Sequence, residues 1–146
     1  MSAPSTAVTT SVLKSVQMFA AFGEDQLRAL APAVMRRDAP RGSVIMAEGD
    51  RVDSLYIVVS GRLKVMMGEA DGKEMILAII GPGEIFGEMG LIDDGPRSAS
   101  VIAIEPCELL VVTKRLFKKC LVENAEVALA VLRVVVRRLR EADRKI

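Results

Sequence analysis

The stretch Gly81-Pro-Gly-Glu-Ile-Phe-Gly-Glu-Met-Gly-Leu-Ile-Asp-Asp-Gly-Pro-Arg-Ser-Ala-Ser-Val101 carries the decisive signal in this chain. It holds five glycines and two prolines in twenty-one residues, between segments built of short β-rich runs. Glycine lets the backbone approach a ligand closely and adopt positive φ. Phe86-Gly87-Glu88-Met89-Gly90-Leu91 leaves room for a single helical turn. The outward N–H groups of such a turn can hold an anion. Arg97 follows a Gly-Pro turn and opens a strand, which can fix its guanidinium toward the same place. A planar fork matches two phosphate oxygens. Glu88 suits a sugar hydroxyl, from which a carboxylate accepts a hydrogen bond. An arginine, a carboxylate and bare backbone within ten residues describe a pocket for a phosphorylated ribose. In the competing reading Arg97 and Glu88 pair with each other and the glycines only shape a loop. Spacing alone leaves both open.

On either side lie short runs separated by turn residues. Ser43–Met46, Leu55–Ser60, Leu63–Met67, Met75–Ile80, Ala99–Ile104 and Glu108–Val112 read as strands. Pro40-Arg41-Gly42, Glu48-Gly49-Asp50, Ser60-Gly61, Gly81-Pro82-Gly83 and Glu105-Pro106 punctuate them, and Asp71-Gly72 signals a tight hairpin. Strands at such spacing predict a sandwich, roll or barrel over residues 36–113. Before them, Val12, Val16, Phe19, Phe22, Leu27, Leu30 and Val34 recur at helical spacing, broken at Gly23. Two short helices are expected over 12–35, the second starting at Glu24-Asp25. Residues 1–11, rich in Ser, Thr and Ala, read as a loose tail.

After the strands the helical period returns over 114–146. Leu121, Ala125, Ala128, Leu132, Val135, Leu139, Ala142 and Ile146 are spaced 4, 3, 4, 3, 4, 3, 4. That is a heptad seam. A second apolar row, Val127, Val131 and Val134, covers only the first half. The two rows predict a helix whose first half packs on the β body and on a partner, and whose second half needs only the partner. A homodimer through residues 121–146 is the expectation. The alternative is a long helix lying on its own domain.

The 146 residues are 51% hydrophobic and 27% charged, enough for one domain with a core. Twenty basic against nineteen acidic residues give +1, which is not the balance of a nucleic-acid polyelectrolyte. There is no histidine, which removes His-based triads, haem on histidine and His-ligated metal. Two cysteines, Cys107 and Cys120, cannot form a disulfide framework or a four-thiolate cluster, and suit a reducing cytoplasm. The most apolar run, Val127–Val136, is interrupted by Arg133 and is too short to span a bilayer. No nucleophile–base pair or metal constellation stands out, so neither an enzyme nor a cofactor is expected.

The stretch resembles the phosphate-binding cassette of the cyclic-nucleotide-binding domain family. The match is Phe86-Gly87-Glu88, a small and apolar run, then Arg97-Ser98-Ala99. Gly49-Asp50, Leu55-Tyr56-Ile57-Val58, Ser60-Gly61 and Gly72-Lys73-Glu74-Met75-Ile76-Leu77 are similar to the bacterial cyclic AMP receptor branch. The resemblance runs from about Phe19 to Ile146. It implies an α+β fold: an eight-stranded antiparallel β-roll (a jelly roll) with N-terminal helices and a C-terminal helix pair. The cassette would be 86–99 within a domain of 12–146. Gly87, Glu88 and Met89, with Phe86 beside them, would line the phosphoribose, Glu88 taking the ribose 2′-hydroxyl. Arg97 and Ser98, followed by Ala99, would take the cyclic phosphate. Val65, Leu77, Ala78 and Ile80 would line base and sugar, or be plain core residues.

The long helix matches the branch in Val136-Arg137-Arg138-Leu139, which gives Arg138 a ligand-side role. Where that branch has a Thr-Ser pair against adenine, this chain has Ala142-Asp143. Asp143 could accept from adenine or guanine, or be an exposed helix residue. Cyclic AMP is the expected ligand, with cyclic GMP the alternative. Residues 133–146 carry six basic and two acidic residues, but no second helix follows to enter a DNA groove. The expectation is a cytoplasmic cyclic-nucleotide sensor that signals through its C-terminal helix to an unknown effector protein, without direct DNA or membrane binding. The alternatives are the regulatory half of a transcription regulator and a nucleotide-independent dimerisation scaffold.

Overall fold

The computed structural model describes residues 23–51, 53–68, 72–87, 95–97 and 99–144. Helix α1 spans Glu24–Leu30 and runs into a 3-10 turn, Ala31–Ala33. Eight strands follow: β1 Met35–Ala39, β2 Val44–Met46, β3 Ser54–Ser60, β4 Leu63–Gly68, β5 Glu74–Ile80, β6 Ile85–Phe86, β7 Ser100–Ala103 and β8 Cys107–Thr113. Helices α2, Lys114–Glu123, and α3, Ala125–Arg144, close the chain. The strands form two four-stranded sheets of order β1-β8-β3-β6 and β2-β7-β4-β5, all pairs antiparallel. This is the expected α+β jelly roll with a C-terminal helix pair.

Strands β3 and β8 lie inside the first sheet and are covered on both faces. Leu55, Ile57, Leu110 and Val112 point to a core shared with Leu27, Phe117, Cys120 and Val131 of the helices. The alternate residues Tyr56, Val58, Leu109 and Val111 point to a second core between the sheets, with Leu63, Ile80, Val101 and Ala103. Covering both faces removes the polar half of the usual alternation. That is why Leu55–Val58 and Leu109–Val112 read as unbroken apolar runs.

Two strands lie where sequence analysis places none. β1 includes Met35, expected as helical, and the charged Arg36-Arg37-Asp38. It is an edge strand held by its ladder with β8, from Met35↔Val111 to Ala39↔Cys107, and by Arg36 pairing with Glu108 at 3.1 Å. Ladder bonding overrides local propensity at such an edge. β6 is two residues long and exists through Tyr56↔Phe86 and Ile57↔Ile85. The helix expected over 12–22 lies outside the described residues.

The C-terminal seam departs from the expected one. The helix breaks at Asn124, whose φ of −144° and ψ of 105° are extended. Its side chain accepts from the backbone N–H of Glu126 at 3.0 Å, a local alternative to continuing the helix. Leu121 therefore belongs to α2 and not to one seam with Leu132. Leu121 and Val135 both pack against the protein's own core. The outward apolar row of α3 is instead Leu129, Leu132, Val136 and Leu139, with Leu132 and Leu139 each 57% exposed.

Candidate functional site

Among the described residues the buried polar or charged side chains are Ser54 and Arg97, and the two residues meet. Arg97 is 4% exposed. Its Nη1 donates to the carbonyl of Gly87 at 2.8 Å and its Nη2 to the carbonyl of Ser54 at 2.7 Å. A buried guanidinium needs such acceptors, because an unpaired buried charge is strongly unfavourable. Among the described residues these two carbonyls engage two of its five N–H donors, and three remain for another oxygen-rich group. The carboxylate of Asp53 stands 3.8 Å from Nη2, but its side chain is 85% exposed. It is oriented by Ser54 Oγ, which donates to Asp53 Oδ1 at 2.9 Å.

Three backbone segments set this position. Gly87 follows β6 with φ +85°, and a Cβ there would lie 2.6 Å from Arg97 Nη1. Only glycine allows both that backbone conformation and that approach. Residues 81–84 hold β6 in place: Gly83 N–H donates to Val58 O at 2.8 Å, and Val58 N–H to Glu84 O at 3.0 Å. The turn Ala47–Asp50 fixes the arginine's own backbone. Gly49 N–H donates to Arg97 O at 2.8 Å, and Arg97 N–H to Asp50 O at 2.9 Å. Glu48 N–H donates to Ser100 Oγ at 2.9 Å. Glu48-Gly49-Asp50 reads from sequence as a bare turn; in the fold it is the back wall of the arginine's seat.

An aromatic pair completes the seat. Tyr56 stacks on Phe86 with centroids 5.0 Å apart and planes at 17°. The Arg97 Cζ lies 5.9 Å from the Tyr56 centroid. Ser54 and Tyr56, two apart on β3, thus serve the arginine, and sequence analysis singled out neither. The signal was present in that Tyr56 is the chain's lone tyrosine, set between the aliphatic residues Leu55 and Ile57.

The other expected site residues divide. Phe86, Gly87, Arg97 and Ala99 are described, and Phe86, Arg97 and Ala99 are buried. Val65 lies on β4, opposite Ala78 on one side and Val101 on the other, and is half-buried against the core between the sheets. Leu77 is the extra residue of a bulge, since Val65 faces Ala78 while Met66 faces Ile76. Ile80, opposite Leu63, is a core residue. Glu88, Met89 and Ser98 lie outside the described residues. Arg138 and Asp143 fall on α3, with their side chains outside the description. Arg97 is more than a pocket-facing side chain, because it is buried. The side chain satisfies two backbone carbonyls, which lose these donors when it is removed.

The seat connects to the helices. Ser54 pairs with Thr113 across β3 and β8, and Lys114 N–H donates to Asp53 O at 2.8 Å. Thr113 is the N-cap of α2, its Oγ1 accepting from Leu116 N–H at 3.2 Å. The carbonyl bonded by Arg97 is thus one residue from the carbonyl that anchors the first residue of α2. Among the described residues no group of three or more acidic or cysteine side chains could hold a metal, and no helix is long and apolar enough to cross a membrane.

Comparison with known proteins gives the family. Residues 36–124, more than half the chain, match the family model of the cyclic nucleotide-binding domain. The chain is 36% identical over 131 residues to the cyclic AMP receptor protein of Thermus thermophilus, covering 90% of this chain and 61% of that one. It is 32% identical over 132 residues to a CRP-like cAMP-activated global transcriptional regulator of Mycobacterium tuberculosis, covering 90% and 59%. It therefore spans about three fifths of the length of these curated relatives. Among solved structures, the Thermus thermophilus catabolite activator protein superposes with a TM-score of 0.81 at 36% identity, over 88% of this chain and 61% of that one. The sensor domain of the regulator DNR from Pseudomonas aeruginosa shares the fold, with a TM-score of 0.83 at 24% identity over 97% and 95% of the two chains. A buried arginine seated on a left-handed glycine, and a matching family model over the whole β-roll, lead to one conclusion: the chain belongs to the cyclic nucleotide-binding domain family and resembles its cyclic AMP receptor branch.

Proposed function

We propose that this protein is a regulatory module that binds a cyclic nucleotide, cyclic AMP in preference to cyclic GMP, and signals through its C-terminal helices. The observation that carries the reading is the preorganised Arg97. Its guanidinium is buried and already anchored on Ser54 and Gly87, and among the described residues three of its N–H donors remain for a phosphate. Arg97, with Ser98 and Ala99 beside it, takes the cyclic phosphate; Phe86, Gly87, Glu88 and Met89 surround the ribose; Val65, Leu77 and Ala78 meet the base. Glu88 accepts from the ribose 2′-hydroxyl, and Arg138 and Asp143 reach the nucleotide from α3. The preference for cyclic AMP draws on relatives whose names state that ligand. Calorimetric titration with cyclic AMP and cyclic GMP, on the wild type and on Arg97→Ala, tests the reading. Binding should fall about 10- to 150-fold in the variant, the worth of a charge-assisted pair. A folded Arg97→Ala that binds as the wild type refutes it.

Transmission is supported by the bonds that join the Arg97 seat to the cap of α2. A ligand pulling on the arginine acts on the segment where α2 begins, and output follows from its differential affinity for two helix arrangements. Assembly as a homodimer is supported by the outward row Leu129, Leu132, Val136 and Leu139, repeating 3, 4, 3. The module is cytoplasmic and acts on an effector not identified by this chain. The second reading, the regulatory half of a transcription regulator, is favoured by a relative named as a transcriptional regulator, of which this chain covers 59%. The length of the natural gene product separates the two.

A further inference from the structure

We infer that Tyr56 is a positioning residue for the phosphate-binding arginine, acting through the π face of its ring; the inference rests on the cyclic-nucleotide reading of Arg97. Arg97 is 4% exposed, and among the described residues its hydrogen-bond acceptors are neutral backbone carbonyls. The carboxylate near it, on Asp53, is 3.8 Å away and largely in solvent. A desolvated cation resting on neutral carbonyls is further stabilised by any negative potential that faces it. The Tyr56 ring, itself 7% exposed, lies 5.9 Å from the Arg97 Cζ and offers the negative face of an aromatic quadrupole.

The choice of an aromatic partner has a functional consequence. A buried carboxylate against the guanidinium would cancel its charge and compete with phosphate for its N–H groups. Carbonyl dipoles and a π face hold the cation while leaving its whole charge for an incoming anion. The ring is itself held. Phe86 stacks on it at 5.0 Å, and the next residue, Gly87, supplies the carbonyl that Nη1 bonds. Tyr56, Phe86 and Gly87 therefore aim one side chain. A leucine at position 56 would fill much of the core volume between the sheets and supply no quadrupole.

The test is calorimetric titration with cyclic AMP across variants at position 56, with thermal melting of each. Tyr56→Phe should bind within about twofold of the wild type, since the ring is kept. Tyr56→Leu should bind about fivefold more weakly. Replacement of Tyr56 by mono-, di- and trifluorinated phenylalanine should weaken binding stepwise at nearly constant shape, because each fluorine drains the π face. This series also carries the test if Tyr56→Leu does not fold. In an Arg97→Ala background all of these variants should bind alike. Equal affinity across the fluorinated series, in a protein whose Arg97→Ala variant has lost affinity, overturns the role of Tyr56 and leaves the cyclic-nucleotide reading intact. A wild type that binds neither cyclic AMP nor cyclic GMP overturns both.

Discussion

The tightest steric constraint on the arginine is at Gly87, and Gly87→Ala turns it into a measurement. A Cβ at this position would sit 2.6 Å from Arg97 Nη1, against an ordinary contact of at least 3.4 Å. The nearest obstacle is the end of a flexible side chain, so the guanidinium moves, by roughly 0.8 Å, the difference between those distances. Its bonds of 2.8 Å to Gly87 and 2.7 Å to Ser54 would then stretch toward the limit of hydrogen bonding. Two separate penalties follow. The backbone penalty arises because an alanine at φ +85° costs about 1–2 kcal/mol. A stiffer unfolded chain offsets about 0.4–1 kcal/mol of it. A net cost of about 1 kcal/mol lowers the melting temperature by roughly 2–4 °C. On the proposed reading of Arg97, the affinity penalty arises because the displaced fork would no longer meet both phosphate oxygens. Losing one charge-assisted bond gives about a tenfold weaker affinity. Four proteins are needed: wild type, Gly87→Ala, Arg97→Ala and the double variant, each melted and titrated with cyclic AMP. In the Arg97→Ala background the affinity penalty of Gly87→Ala should vanish while the backbone penalty of about 1 kcal/mol remains. A folded Gly87→Ala with wild-type affinity, or an equal affinity loss in both backgrounds, would refute the geometric argument.

Other outcomes follow from the same structure. Gly61→Ala should destabilise by about 2–3 kcal/mol in chemical denaturation, because φ is +88° and its Cβ would lie 2.5 Å from Pro106 O and 2.8 Å from Cys107 Cα, neither of which can yield. Thr113→Ala removes the N-cap of α2 and should cost about 1 kcal/mol. At saturating cyclic AMP it should also blunt ligand-dependent hydrogen-exchange protection of residues 114–144, with affinity unchanged. Undiminished protection would place the transmission elsewhere. Leu132→Glu with Leu139→Glu should give a folded monomer by sedimentation, whereas Val135→Ala should lower stability and keep the dimer, since Val135 packs on its own core. Burial, then the neighbouring Glu105 and Glu123 carboxylates, pushes the Cys107 and Cys120 thiols up. The folded state thus holds these protons more tightly than the unfolded chain. Stability should be level below the ordinary thiol range and decline as pH rises above about 8.5. Cys107→Ser with Cys120→Ser should flatten that decline, measured by denaturant melts between neutral and alkaline pH.

Much of this architecture is legible in the residues alone. Alternating β-rich runs and turn residues give the span of the roll, because strand period and turn chemistry are local properties. The dense glycines of 81–95 and the Gly95-Pro96-Arg97 turn give the location of the site, because backbone access and a planar cation are also properties of residue type. What escaped is what depends on partners distant in sequence. β1 is a strand through its ladder with β8, more than sixty residues on, so its charged sequence gives no sign of it. The seam on α3 follows from which face the β body covers, and the break at Asn124 shifts that face; a heptad count cannot see either. The arginine was identified from sequence, but its seat was not. Ser54, Tyr56 and Asp50 lie more than forty residues before Arg97 and read as strand and turn until the sheets bring them together. Residue types therefore determined that a cation and a bare backbone lie close together in the sequence. Only the tertiary structure decided that this cation is buried on neutral carbonyls and an aromatic face, because desolvation and long-range hydrogen bonding exist only once the chain has closed on itself.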